Sequence, residues 1–157
     1  MFTIYKQIAD HLRDKLPELR TIDADKGQLA DPEKAYPLLF PAVLIDLDNI
    51  DWSNQGNHVQ NGKCNIAITV AVLPVNQSHQ DSPTIDDFVG QMEIINQVYS
   101  ELAGFIGLSR LKTYRQKRYD TIQAFTHLFT TTLTDRSASK GYTKHPVPAD
   151  IKTEFKQ

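Results

Sequence analysis

Several things are nearly missing from this chain, and each absence narrows what it can be. One cysteine, Cys64, has no second cysteine to pair with, so an internal disulfide is excluded. No apolar run approaches the ~18 residues that a membrane span needs, and the N-terminus lacks a signal-peptide core, so a cytoplasmic protein is expected. The seven glycines never form a phosphate-cradling loop. The five histidines (His11, His58, His79, His127 and His145) are scattered, with no CxxC or HxxxH spacing to gather metal ligands. No nucleophile elbow is present, and Cys64 has only Lys63 as an electropositive sequence neighbour. The expectation is a non-enzymatic chain without catalytic residue, resident metal or cofactor.

Two acidic groupings test that expectation. A calcium loop starting at Asp23, with Asp25 and Asp31, wants glycine at its sixth position and glutamate at its twelfth; Gln28 and Lys34 stand there instead. Asp46, Asp48 and Asp51 close an apolar run, with Asp46 and Asp48 expected on one face of a strand. Paired carboxylates there suit a magnesium nuclease, yet no familiar nuclease spacing accompanies them, and a charged strand end is the preferred reading.

What the chain does have is patterning. Ile4, Ile8, Leu12 and Leu16 recur every four residues, joined by Tyr5 and Ala9, with Lys6, Asp10, Arg13 and Asp14 between them. This is an amphipathic helix capped by Thr3 and stopped by Pro17. Leu19 to Ala24 reads as a short strand, Asp25-Lys26-Gly27 as a turn, and Gln28 to Lys34 as a polar loop. Pro37 and Pro41 exclude helix on their N-terminal side and frame the strand Ala42 to Leu47. Beyond a polar bend, Cys64, Ile66, Ile68, Val70 and Val72 alternate with Asn65, Ala67, Thr69 and Ala71. That is strand period, and a bent or bulged strand is expected from about His58 to Leu73, in preference to a hairpin at Asn61-Gly62.

A second helix is expected from about Pro83 to Ala103, with Ser82 as its cap and Asp86 and Asp87 in its opening turns. Phe88, Met92, Ile95, Tyr99 and Leu102 form its apolar stripe, widened by Ile85, Val89 and Val98, and Gly104 ends it. Arg110 to Tyr119 and Ile122 to Thr134 read as an antiparallel pair, with Phe125, His127, Phe129, Thr131 and Leu133 on one face. Apolar periodicity is lost from Arg136 to Gln157. The expected organisation is one α+β domain over 1–135 and a flexible or extended tail over 136–157.

The net charge of −2 conceals a division. The first 108 residues sum to −8 and the last 49 to +6. The segment Arg110 to Tyr119 carries five cations (Arg110, Lys112, Arg115, Lys117 and Arg118) and no acid. Tyrosines interleave with them, which suits stacking on unpaired bases while the cations meet phosphates. A basic strand in an acidic protein equally suits a protein interface, and that is the preferred reading of these five residues.

The order of elements, with the strand Phe40-Pro41-Ala42-Val43-Leu44-Ile45 some forty residues in, resembles the tail terminator (tail-completion) proteins of long-tailed phages and prophages, and related neck and minor tail proteins. The resemblance covers about residues 1–135 and lies in layout and size. It implies a mixed or antiparallel sheet of four to six strands packed on an N-terminal helix and a longer central helix, with an extended hairpin that reaches a neighbour. It also implies a homo-oligomeric ring, commonly a hexamer, that closes the tail tube and meets head-side connector proteins. Such a subunit is made in the cytoplasm and ends in the virion tail. The runner-up from another class is a nucleic-acid-binding module using residues 110–118.

Overall fold

The computed structural model describes residues 2–30, 38–73, 79–116 and 122–138. The chain is α+β. Helix α1 (Phe2–Lys15) leads into strands β1 (Thr21–Ala24), β2 (Ala42–Asn54) and β3 (Gln60–Val72). Helix α2 (Ile85–Leu102) and a single 3-10 turn at Phe105–Gly107 then precede β4 (Ser109–Gln116) and β5 (Gln123–Asp135). The five strands make one mixed sheet in the order β1-β2-β3-β5-β4, with β1 parallel to β2 and the other pairs antiparallel.

Period 2 decides which face each strand residue takes. Val43 and Ile45 of β2 stand opposite Val70 and Ile68 of β3, which stand opposite Phe125 and His127 of β5. These residues, with Cys64, Ile66 and Phe129, form the floor on which both helices lie. From α1 come Ile4, Ile8, Ala9 and Leu12, with Leu16 just past its end; from α2 come Ile95, Val98 and Leu102. The four-residue apolar spacing of α1 is therefore buried in one core with Ile95 and Leu102 of the α2 stripe, while Met92 and Tyr99 are partly buried against it and Phe88 lies outside it. Cys64 lies in that core, and its burial pushes the thiol above its ordinary range, which makes it inert.

The reverse face is different along its length. Near the start of β2, Ala42, Leu44, Ala71 and Ala124 are covered by Leu29, with Leu38, Phe40 and Ile122 against them. Farther along, the same face turns polar. Thr69 and Thr126 share a hydroxyl hydrogen bond of 2.9 Å, Asn65 Nδ2 donates to Asn49 Oδ1 at 2.9 Å, and Thr134 Oγ1 donates to Asn61 Oδ1 at 3.0 Å.

Four local expectations need correction. The helix begins at Phe2, so Thr3 lies inside the first turn of α1 and is not its cap. Helix α2 begins at Ile85 with Thr84 as N-cap; Ser82 sits two residues earlier, where its hydroxyl accepts the Thr84 backbone N–H at 3.2 Å. Strand β2 does not stop at Leu47 but continues through the polar residues to Asn54, and the chain reverses over Gln55 to Val59. Asn57 and His58 take positive φ in that reversal, a conformation asparagine tolerates. The irregularity expected in β3 lies in β2 instead, where the register shifts between Leu47 and Asn49. The turn at Asp25-Lys26-Gly27 is as expected: Gly27 has φ of 80° and donates its N–H to Asp25 Oδ1 at 2.9 Å. The tail beyond Ala138 lies outside the described residues. No helix among the described residues is long and apolar enough to cross a membrane.

Candidate interaction surface

The sheet order puts opposite charges at opposite ends. Strand β4, at one edge, holds Arg110, Lys112 and Arg115 without an acid, and all its residues but Gln116 are exposed. Lys117 and Arg118, the other two cations of the predicted interface, lie outside the described residues. At the far end, Asp23, Asp25, Asp46 and Asp48 gather around β1 and the middle of β2. Burial raises the Asp46 carboxyl above its ordinary range, and the charges of Asp25 and Asp48 raise it further. Four strand spacings, about 19 Å, separate the two ends.

Within β4 the register fixes the two sides. Arg110, Thr113 and Arg115 stand opposite Phe129, His127 and Phe125, and so share the helix-covered face. Ser109, Lys112, Tyr114 and Gln116 take the reverse face, as the alternation of Lys112 and Tyr114 against Arg115 leads one to expect. Leu111 is the extra residue of a bulge between Arg110 and Lys112; it is 53% exposed. The Arg110 guanidinium lies 3.4 Å from the centre of the Tyr99 ring, a stacked cation–π contact that fixes this arginine against α2. Lys112 sits 5.2 Å from the Tyr114 ring centre.

Behind β4 a groove of about 640 Å³ runs between the strand and α2. Met92, Ile95, Phe125 and His127 give it an apolar floor, while Asn96, Arg110 and Lys112 give it a polar margin. His127 is buried and joins three elements. Its Nε2–H donates to the Ile95 carbonyl at 3.0 Å, which leaves Nδ1 to accept from the Thr113 hydroxyl at 2.8 Å. Burial pushes this imidazole below its ordinary pKa of 6.5, the hydrogen bond to Ile95 works against that, and the Arg110 charge adds to it. No carboxylate faces the ring from α2, β4 or β5 among these contacts.

Because the folded ring resists protonation, the unfolded chain takes up the proton first. The stability His127 confers is complete above its unfolded pKa, about 6.5, and declines as pH falls through it. His127→Gln is expected to cost about 1–3 kcal/mol at pH 7.5 through broken hydrogen bonds. Its denaturant midpoint should also vary less than wild type between pH 7 and 5. Parallel pH profiles for the two proteins would refute this assignment.

The other predicted candidates do not converge on chemistry. Asp23 is held by Lys26 at 3.3 Å and by the Ala24 N–H at 2.7 Å. Asp48 is the residue displaced by the β2 bulge, so Asp46 and Asp48 do not follow the simple alternation that pairs carboxylates on one face. Among the described residues no three histidine, cysteine, aspartate or glutamate side chains come together in a way that could hold a metal ion. The sequence leads one to expect a satisfied, half-buried histidine at His127, and it is satisfied and fully buried. Sequence reading missed its partners across α2 and β4, the groove and the Leu111 bulge. Only the first had a signal: a histidine at a position where period 2 demands an apolar residue. No family model matches this chain, and no curated protein matches it either.

Proposed function

We propose that this chain is a structural subunit of a phage or prophage tail, forming a ring that completes the tail tube. The observation that carries the reading is the placement of an acidic end and a basic end on opposite edges of one sheet. A head-to-tail contact joins two different patches of the same chain, and it closes into a ring when the rotation permits. Opposite charge on those two patches steers successive copies into the same orientation and disfavours the reversed one. The α+β layout, with two long hairpins and both helices on one face of the sheet, agrees with the architecture that the tail terminator resemblance implies. The ring would form in the cytoplasm during assembly and meet the tail tube on one side and head-side connector proteins on the other. Exposed charge pairs contribute only about 0–1 kcal/mol each, so apolar contact must hold what they orient.

The test is mass in solution across a concentration series, with images of any assembly. Wild type is expected to form one closed species, and Arg115→Glu with Lys117→Glu is expected to shift it towards folded monomer. A wild-type chain that stays monomeric at high concentration overturns the ring. If it also binds single-stranded DNA with an affinity that falls steeply with salt, the nucleic-acid reading of residues 110–118 replaces it.

A further inference from the structure

The outer edge of β4 is a backbone ladder with no described partner. The strand pairs with β5 on one side only, and alternate residues point N–H and C=O groups away from the sheet. The bulge at Leu111 leaves Lys112–Gln116 as the regular stretch. The opposite edge of the sheet is different. In β1 the Ala24 N–H is taken by the Asp23 carboxylate at 2.7 Å, and the Ala24 carbonyl by Gln28 Nε2 at 2.7 Å. The β1 edge is thus partly blocked at Ala24, whereas the β4 edge has no partner among the described residues and is backed by the groove under α2.

We propose that the β4 edge and this groove form a docking site for an extended, acidic polypeptide segment with apolar residues at alternate positions, which adds to the sheet as a further strand. Strand addition takes its affinity from main-chain hydrogen bonds and its selectivity from pockets for alternate side chains. The groove supplies such a pocket: Met92, Ile95 and Phe125 lie at its floor, and exposed Leu111 lies at its mouth. Groove-lining residues come from both faces of β4, Arg110 and Thr113 from one and Lys112 from the other.

Charge selects the occupant. With three cations and no acid, two β4 edges repel each other, and cations on an edge strand are a known guard against such pairing. The chain's own residues 139–157 carry four lysines against two acids, the wrong sign for this edge. A neighbouring copy's acidic end can approach the cations, but its β1 is only four residues long and the Ala24 groups are already bonded, which leaves too little to continue the ladder along Lys112–Gln116. Nucleic acid would use the cations and leave both the ladder and the apolar floor idle. An acidic protein strand uses all three features. The proposed ring contact would use the same cations, so the two occupants compete for this edge and the peptide is tested where the chain is monomeric.

The probe is a short fluorescent peptide alternating glutamate with valine and leucine, titrated into the full chain at a concentration where mass measurement shows monomer. Saturable binding is expected, together with slowed amide exchange over Lys112–Gln116. Lys112→Glu with Arg115→Glu should weaken binding about tenfold while the far-ultraviolet spectrum stays unchanged. Methylating alternate backbone nitrogens of the peptide, which keeps its charge and side chains, should abolish binding. Equal binding by the methylated peptide, or by a lysine analogue of it, overturns the proposal. So does preference for a single-stranded oligonucleotide that displaces the peptide completely.

Discussion

An Ile95→Asp chain is expected to lose its fold altogether. Ile95 is 6% exposed and points from the middle of α2 into the core shared with α1 and β3. It belongs to the apolar core as well as to the floor of the groove. Arg110, the cation that lines the same groove beside α2, is already stacked on Tyr99, so a carboxylate there would lose most of its hydration at a cost of several kcal/mol. The whole stability of a domain this size is about 5–15 kcal/mol. The same substitution would bring a negative charge beside the Ile95 carbonyl that receives His127 Nε2–H, disturbing the link between α2 and β5. Circular dichroism and a melting curve decide the matter. A soluble variant that melts like wild type would show that α2 does not lie on this sheet.

Phe129→Ala should leave a folded but weakened protein, less stable by about 3–5 kcal/mol. Phe129 is the largest of the fully buried side chains among the described residues. It stands opposite Ile66 on one side and Arg110 on the other, with the Tyr99 ring 6.4 Å and the His127 ring 6.2 Å away. Its removal opens a cavity beneath the Tyr99 ring on which Arg110 stacks, so the loss should combine transfer energy with incomplete collapse. Urea unfolding measures it, with the midpoint falling and the slope unchanged. A loss under about 1 kcal/mol would mean that the neighbouring rings refill the site.

Much of this architecture is legible in the residues, because most of it follows from period. Four-residue apolar spacing gave α1, the 4-3-4-3 stripe gave α2, and alternation gave β3 and β5. Val89 shows the limit of that argument: by spacing it widens the stripe, yet it is 56% exposed. Strand β2 shows another. Ile50 and Trp52 alternate with polar neighbours, but the bulge between Leu47 and Asn49 puts them out of phase with Val43, Ile45 and Leu47, and pairing with β3 across the hairpin carries the strand through that break. Long-range pairing overrides local propensity there. The basic segment was visible as composition. That it forms an edge strand of the sheet, and that a groove backs it, depends on strand order, which no local pattern encodes.

The hairpin of β2 and β3 has a consequence of another kind. Its outer part carries Trp52, the only tryptophan in the chain, whose ring covers Gly62 so closely that a Cβ there would stand 2.7 Å from it. The ring is 43% exposed and borders a shallow depression with Thr3, Ile4 and Gln7 of α1 and Leu133 of β5. Tryptophan emission from this protein therefore reports a single place, the meeting of hairpin and first helix. Light from that residue can record fraying of the hairpin end while the core at Phe129 stays shut, and so separates a local opening from global unfolding. The fold has its own optical marker, placed at the periphery where loosening begins.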